Sequence, residues 1–460
     1  MMKYDIAIIG AGTAGIFAAY ELNLLNPKLS IVVLEYGLSI EKRSCPILAK
    51  KVKDCMGCKP CAIMCGFGGA GAYSDGKFNF TTKFGGWLTR YLPDSEIMDL
   101  MNYADSINVK FGATTETFPA EPDLALALER RALEHDLHLL HDKVKHIGTE
   151  NNLKILKAIY DYLKEKVEFR FATQVKAFEK KDGGFGIYYG DESLDCTYLI
   201  AGPGRSGAEW FAEQCRLMGL SLTNNEVDIG VRVELPAVIM EHITGVMYEA
   251  KLLYRTKQYR DIVRTFCMCP YGHVVPENID GIITVNGHSY TDPALRSENT
   301  NFALLVSNRF TQPFNEPHRY GKHIAALSNM LGGGVMVQRF GDLVKGVRSN
   351  ESRLADSFVR PTLAAMPGDL SLVLPKRHLD NIIEMIYALD NIAPGTANYD
   401  TLIYGVEVKF YSTVLQLTGE LETEFPGFFA MGDGAGITRG LGQAAASGVK
   451  IARVIASRLS

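Results

Sequence analysis

An α/β architecture is predicted for this chain: a parallel-sheet dinucleotide-binding domain, discontinuous in sequence, with an α+β domain inserted. Three observations predict it. The chain opens on "YDIAIIGAGTAGIFAAYEL", an apolar strand that runs into spaced glycines and then a helix. Near its end "FFAMGDGAGITRGLGQAAASGVK", residues 428–450, repeats the order strand, glycine turn, small-residue helix. Between them, residues 167–207 read as short alternating strands broken by a "KKDGG" turn and closed by the apolar strand "TYLIAG".

The first element carries the most specific signal. Gly10, Gly12 and Gly15 have the G-x-G-x-x-G spacing. The first permits a tight turn, the second lets backbone approach a pyrophosphate, and the third lets the helix pack close to the strand. Thr13 and Ala14 then open a helix whose free N–H groups and dipole face the phosphates. A second strand, "LSIVVLEYG", ends in Glu35, twenty residues beyond Gly15, where a carboxylate accepts from a ribose. This is the Rossmann-like half of the fold. It does not separate NAD from FAD.

The far end makes that distinction. Gly432, Asp433 and Gly434 follow an apolar strand and precede a helix, an arrangement similar to the second FAD fingerprint of flavoproteins with two dinucleotide-type motifs. There the aspartate accepts from the ribitol chain, and the helix N-terminus faces the pyrimidine side of the flavin. In the middle segment, Gly202, Gly204 and Gly207 also spell G-x-G-x-x-G. Gly202 is taken as part of the FAD site. A second site for NAD(P)H is the weaker reading, because no strand ending in an acid follows at the right distance.

Composition narrows the class. The 460 residues are 47% hydrophobic and 22% charged, with a net charge of −4, which is ordinary for a globular protein and gives no support for nucleic-acid binding. No run of eighteen or so apolar residues is present, so no integral membrane segment is expected. The opening residues lack a basic and apolar leader. The nine cysteines are clustered, which points to a reducing cytoplasm rather than a disulfide framework.

Residues 1–227 and 401–460 are expected to form the FAD domain, with a cysteine-rich insertion at 43–80, and residues 228–400 the substrate or cap domain. Residues 122–145 and 153–166 read as helices with "HIGTENN" as a loop between them. The inserted domain opens with the strand "VDIGVRVEL" and holds "GIITVNG"; helices are expected through "NFALLVSNRF", "KHIAALSNML" and "LDNIIEMIYAL". "YGVEVKFYS", residues 404–412, alternates as a strand leading back to the FAD domain.

"RSCP" at 43–46, the cysteines of 55–61, "GFGGAGAYSDGKF" at 66–78, "HIGT" at 146–149, "NGHSY" at 286–290 and "GDGAGITRGLGQAAASGV" at 432–449 together resemble the uncharacterised FAD-dependent dehydrogenase family. That family is distantly similar to geranylgeranyl reductases and electron-transfer-flavoprotein dehydrogenases. The resemblance implies a flavin redox protein and no particular reaction.

Candidates for chemistry beyond cofactor binding are few. Gly69, Ala70, Gly71 and Ser74 are expected against the isoalloxazine, where backbone approaches a flat ring, with Asp75 and Lys77 beside them. Arg439 starts the last helix and is suited to an acidic substrate or to reduced flavin; a structural ion pair is the plainer reading. Glu407, Lys409 and Tyr411 share one face of a strand. His288 and Tyr290 are the best acid/base pair by residue type.

The stretch "CMGCKPCAIMC", residues 55–65, concentrates four cysteines. Cys55, Cys58 and Cys61 make a C-x2-C-x2-C tripod, and the Cys-Pro that accompanies such tripods in ferredoxins is Cys45-Pro46, on the N-terminal side. Cys45, Cys55, Cys58 and Cys61 are therefore the expected ligands of a 4Fe–4S cluster, with Cys65 a weaker fourth candidate. Structural zinc and a thiol redox site are the alternatives. Cys267 and Cys269, two apart on a strand, are read as packing residues. The functional expectation is an FAD-dependent dehydrogenase or reductase that moves a hydride to or from a small or lipophilic organic substrate, with the cluster or an electron-transfer protein as relay. A flavin and iron–sulfur electron carrier without its own substrate, and an FAD protein with a structural or RNA-modifying role, are the competing readings.

Overall fold

The computed structural model describes residues 2–46, 48–49, 51–52, 56–74, 76–119, 121–140, 143–279, 281–290, 292–311, 313–314 and 316–459. The chain forms two compact units. The first comprises residues 1–117, 142–225 and 412–460, and the second residues 118–141 and 226–411.

The first unit is built on a seven-stranded sheet. Strand Met2–Ile9 lies between Ile31–Leu34 and Glu192–Ala201 and is parallel to both. Glu168–Arg170 extends the sheet beyond Ile31–Leu34, and the antiparallel strands Gly184–Tyr189 and Val175–Lys181 extend it on the other side. Phe428–Ala430 adds in parallel to the upper end of Glu192–Ala201. The parallel strands are buried on both faces, so Ile6, Ile8, Val32, Val33, Leu199 and Ile200 read as continuous apolar runs. Helices Thr13–Leu25 and Leu441–Arg458 bury small residues such as Ala14, Ala18, Ala445 and Ser447.

The second unit is an eight-stranded sheet. Its centre is Val227–Pro236, antiparallel to Asn299–Asn308 on one side and Leu402–Phe410 on the other. Ile262–Cys269, Lys251–Arg255 and Leu137–Leu140 continue it past Asn299–Asn308. One face is apolar: Val227, Ile229, Val231, Val233 and Leu235 share a core with Ile382, Met385, Ile386 and Leu389 of helix Lys376–Ile392. The opposite face of the same central strand carries Asp228, Arg232 and Glu234, all buried.

Several sequence expectations change. Residues 301–310 were expected as helix, but Asn299–Asn308 is a strand paired on both sides. Its continuous apolar run cannot distinguish a doubly buried strand from a helix by periodicity alone. The helix expected over 122–145 stops at Leu133; Asp136 turns the chain with a φ of 60°, and Leu137–Leu140 becomes an edge strand. The next helix begins at Thr149, inside the expected loop. Because Leu402–Phe410 pairs along the central strand, the second unit reaches residue 411 rather than 400, and residues 118–141 lie with it.

Candidate functional site

Strand pairing in the first unit brings the two glycine motifs together. Ile9 and Ala430 both pair with Ala201, so the Gly10 turn and the Gly432 turn leave the sheet side by side at the carboxyl end of one strand. Gly10 has a φ of 99°, and a Cβ there would stand 2.2 Å from the carbonyl oxygen of Gly202. Gly12 is the reverse case: a Cβ would meet nothing closer than Gly69 Cα at 4.0 Å. Gly12 precedes the helix that begins with Thr13 and Ala14, whose first-turn amides lack intrahelical partners and suit a phosphate. Gly15 is held under the turn, its Cβ position 2.0 Å from the Gly10 carbonyl oxygen.

Glu35 is buried and its carboxylate is largely committed. Oε2 accepts from Ala11 N–H at 2.7 Å; Oε1 accepts from Gly37 N–H at 2.7 Å and from Gly66 N–H at 2.8 Å. A carboxylate has about four lone-pair sites. Three are used, which leaves one on Oε2 for a ribose hydroxyl.

The bond from Gly66 ties the expected flavin-side segment to this cradle. Gly68 N–H donates to Ala11 O at 2.8 Å, and Gly69–Tyr73 forms a short 3-10 helix containing Ala70 and Gly71. Ser74 Oγ closes its end on Gly71 O at 2.7 Å. Asp75 lies outside the described residues. Lys77 starts strand Lys77–Phe80, paired with Lys143–His146.

Sequence reasoning missed the residue that organises this turn. Arg43, 6% exposed, donates from Nε and Nη2 to Ala62 O, from Nη2 to Ile63 O, and from Nη1 to Phe67 O and Gly69 O, at 2.6–3.0 Å. Its guanidinium lies 5.0 Å from the Tyr73 ring centroid. Burial lowers its pKa, against the attraction of Tyr73, Glu35, Cys65 and Cys61. Arg43 gathers carbonyls and Glu35 gathers amides, so opposite charges hold the two sides of one loop.

Asp433 opens the turn after strand Phe428–Ala430. Its Oδ1 accepts from Thr438 Oγ1 at 2.9 Å, its Oδ2 is 3.7 Å from Arg205 Nε, and its side chain is 21% exposed. Gly434 packs over the Gly202–Gly204 turn, its Cβ position 2.8 Å from Gly204 O. In helix Leu441–Arg458 the first turn closes from Ala444 N–H to Gly440 O at 3.0 Å, leaving the preceding amides without intrahelical partners. A second unpredicted segment clasps this end: Gly85 O accepts from Arg439 N–H and Gly440 N–H at 2.9 and 2.8 Å, and Gln443 Nε2 donates to Phe84 O at 3.0 Å. Its only sequence signal was the pair Gly85-Gly86.

The Gly202–Gly207 turn precedes a helix, Ala208–Leu217, but the strand after it, Leu222–Thr223, pairs with Val414–Leu415 and not with the main sheet. The turn therefore lacks the second strand on which a dinucleotide acid would sit.

Among the described residues, no three His, Cys, Asp or Glu side chains are gathered as a metal cage. Cys55 lies outside the described residues. Cys58 is exposed, Cys45 and Cys61 are half-buried, and Cys65 is buried with Sγ 3.3 Å from Ser206 Oγ. Burial pushes the Cys65 thiol pKa up. The described sulfurs as placed do not fit a cluster.

In the second unit, the polar sheet face is an ion network. Arg232 and Glu407, both fully buried, pair through Nε–Oε2 at 2.8 Å and Nη2–Oε1 at 3.1 Å, and Lys409 Nζ stands 2.9 Å from Glu407 Oε1. Burial opposes ionisation of Glu407, but Arg232 and Lys409 hold its carboxyl below the usual range. Tyr411 and Arg264 both donate to Asp228 Oδ2. Glu407, Lys409 and Tyr411 do share a face, and the structure commits them to internal partners. His288 and Tyr290 meet edge to face, centroids 4.7 Å apart, at the end of the hairpin His273–Ile279 and Ile282–His288; the His273 ring is 5.7 Å from Tyr290. These two lie in the second unit, whereas Lys77 and Arg439 lie in the first.

Residues 226–410 match the family described as FAD-dependent protein, C-terminal domain-like. The chain is 27% identical over 478 residues to an uncharacterized protein of Clostridium beijerinckii, covering 99% of this chain and 81% of that one. Among solved structures, it is similar to the anhydrotetracycline hydroxylase OxyS of Streptomyces rimosus (11% identity, TM-score 0.39), covering all of this chain and 62% of that one. The chain thus spans less than two thirds of that hydroxylase. A flavoprotein/dehydrogenase of Cytophaga hutchinsonii shows 10% identity and a TM-score of 0.38 over 99% of this chain and 78% of that chain. The amino acid oxidase NikD shows 11% and 0.40 over 100% and 95%. Likeness at this level carries no functional argument.

Proposed function

We propose that this chain, whose second unit matches a family of FAD-dependent proteins, is an FAD-dependent oxidoreductase of the dehydrogenase or reductase type. One observation carries the reading: Ile9 and Ala430 flank the same residue, Ala201, so two fingerprints from opposite ends of the sequence form one cradle. In this reading the Gly10–Gly15 turn and the amides of Thr13 and Ala14 take the pyrophosphate. Glu35 takes a ribose hydroxyl with its remaining lone pair, and Asp433 orients the ribitol. The first-turn amides of helix Leu441–Arg458 face the pyrimidine edge.

Bound FAD supplies a ring that accepts or releases a hydride. The protein's part is to bind, orient and manage protons. In the first unit Arg439 and Lys77 offer cations; in the second, His288 with Tyr290 offers an imidazole and a phenol suited to holding a proton. The substrate class is a small or lipophilic organic molecule. A protein or dye is the favoured electron partner over NAD(P)H, because the Gly202–Gly207 turn lacks its second strand. No electron step is assigned to a metal cluster.

Reconstitution tests this reading. Protein stripped of flavin and titrated with FAD should bind one equivalent, with the visible bands of bound flavin bleached by an artificial low-potential donor. An absence of saturable binding up to millimolar FAD would remove the proposal.

A further inference from the structure

We propose that Cys267 and Cys269 form a dithiol–disulfide couple in the second unit, with Cys267 the sulfur that attacks a small disulfide and Cys269 the one that resolves it. The couple belongs to the second unit, the cysteine-rich loop and the dinucleotide cradle to the first, and the proposal does not depend on the flavin reading.

The backbone at this point is unusual. Cys267 sits inside strand Ile262–Cys269 yet has a φ of 44°, a left-handed conformation that non-glycine residues rarely adopt. Four residues on, Tyr271 has a φ of 52°. The pairing of this strand with Asn299–Asn308 slips between Phe266 and Cys269, so the two-residue alternation that would stack the cysteines on one face is broken. Such outliers persist only when their surroundings hold them, and they collect at functional sites.

Here the surroundings hold both sides of residue 267. Its N–H donates to Glu249 Oε1 at 3.1 Å, and its carbonyl accepts from Arg232 Nη1 at 3.1 Å. Arg232 cannot move away. It is fully buried, paired with Glu407, and donates through the same Nη1 to Asn301 Oδ1 at 2.7 Å. The covering hairpin closes on it so tightly that a Cβ at Gly287 would stand 2.1 Å from Nη1. Burial works to lower the pKa of Arg232, but Glu407 first, and then the sulfurs of Cys267 and Cys269, raise it above the usual value. Asn301, opposite Cys269 in the pairing, keeps a buried Nδ2 without a partner.

The geometry suits a bond between the two sulfurs. In an extended strand, residues two apart stand about 6.6 Å apart, near the upper end of the roughly 4.4–6.8 Å Cα range of disulfides. Cys269 already curls back: its Sγ donates to Cys267 O at 3.4 Å. Cys267 is half-buried and Cys269 fully buried, which suits one for attack and the other for resolution.

The steps balance. The Cys267 thiolate attacks one sulfur of RSSR, forming a mixed disulfide and expelling RS⁻, which takes up the proton Cys267 gave. The Cys269 thiolate then attacks the Cys267 sulfur, forming the internal disulfide and expelling the second RS⁻, which takes the Cys269 proton. Two protein thiols are oxidised, and one small disulfide is reduced to two thiols.

The test treats the full chain with oxidised glutathione, traps remaining thiols with iodoacetamide and maps peptides by mass spectrometry. Wild type should show Cys267 and Cys269 joined within one peptide. Cys269→Ser should instead accumulate glutathione on Cys267, and Cys267→Ser should leave Cys269 unmodified. Equal glutathione on Cys267 in wild type and Cys269→Ser would overturn resolution by Cys269. Should either variant not fold, wild-type labelling decides: Cys267 should react at least about tenfold faster than the buried Cys196 and Cys215, and an equal rate would overturn the proposal.

Discussion

Replacing Glu35 by Gln tests the cradle at its most connected point. The change keeps size and shape but removes charge and turns one acceptor oxygen into a donor NH2. If the amide oxygen stays at the Oε1 position it still accepts from Gly37 and Gly66; the NH2 then faces Ala11 N–H, which Oε2 accepts at 2.7 Å in the native protein. Two donors meet at hydrogen-bond distance. The opposite rotamer is worse, since it sets the NH2 against two amides. The lost charge-assisted bond is worth about 1.5–3 kcal/mol, and the stranded buried amide costs about 1–3 kcal/mol more. Stability of the first unit should therefore fall by roughly 2–4 kcal/mol, the two contributions overlapping in part. The ribose loses its charged acceptor as well, which weakens FAD binding by about 10- to 100-fold. Urea unfolding followed through the first unit and FAD titration by flavin fluorescence read the two effects separately. A Glu35→Gln protein with native urea midpoint and native FAD affinity would refute both the hydrogen-bond assignment and the ribose role.

Asp433→Ala should lower FAD affinity by about tenfold or more through loss of a charged acceptor, with little effect on folding, because the side chain reaches the surface and its ion pair with Arg205 is long at 3.7 Å; unchanged affinity would remove Asp433 from the site. NADPH should bleach bound flavin far more slowly than a low-potential dye, and rapid stoichiometric bleaching would restore the Gly202–Gly207 turn as a dinucleotide site. If anaerobic protein contains iron and sulfide, both should disappear in Cys58→Ser and survive in Cys65→Ser, whose sulfur is turned toward Ser206; the reverse pattern would make Cys65 a ligand. His378 is buried with neither ring nitrogen hydrogen-bonded, and burial lowers its pKa from 6.5 to about 4. The unfolded chain binds this proton first as pH falls. The native state should therefore keep its full stability above pH 6.5 and lose about 3 kcal/mol by pH 4, at about 1.4 kcal/mol per unit; an equal pH dependence in His378→Leu would refute the assignment.

The two ends of the first unit were legible because several of their glycines answer a local steric demand that no other residue meets. Gly10 and Gly15 are such positions, and strand–turn–helix order supplied the rest. The interior of the second unit was legible only in part. Glu407, Lys409 and Tyr411 could be placed on one face by alternation, but Arg232 and Asp228 belong to a neighbouring strand, and which strands pair is set by long-range contacts. Residues 301–310 failed for a related reason: a strand buried on both faces loses its alternation and looks like a buried helix. Arg43 was visible only as the first residue of "RSCP"; its role left no signal, because its partners are carbonyl groups, which every residue carries. Cys267 and Cys269 were read as packing residues of a regular strand, and the slip in pairing beside them left no sequence signal.

The pairing of Ile9 and Ala430 with the same residue sets an order of events during synthesis. Strand Glu192–Ala201 finds Met2–Ile9 already made on one side, but on the other side only its residues 192–196 have a partner, Gly184–Tyr189, at that moment. Leu199, Ile200 and Ala201 keep a bare edge there until Phe428–Ala430 emerges more than two hundred residues later. A chain clipped in that interval keeps an apolar, unpaired sheet edge, which is the kind of surface that quality control recognises.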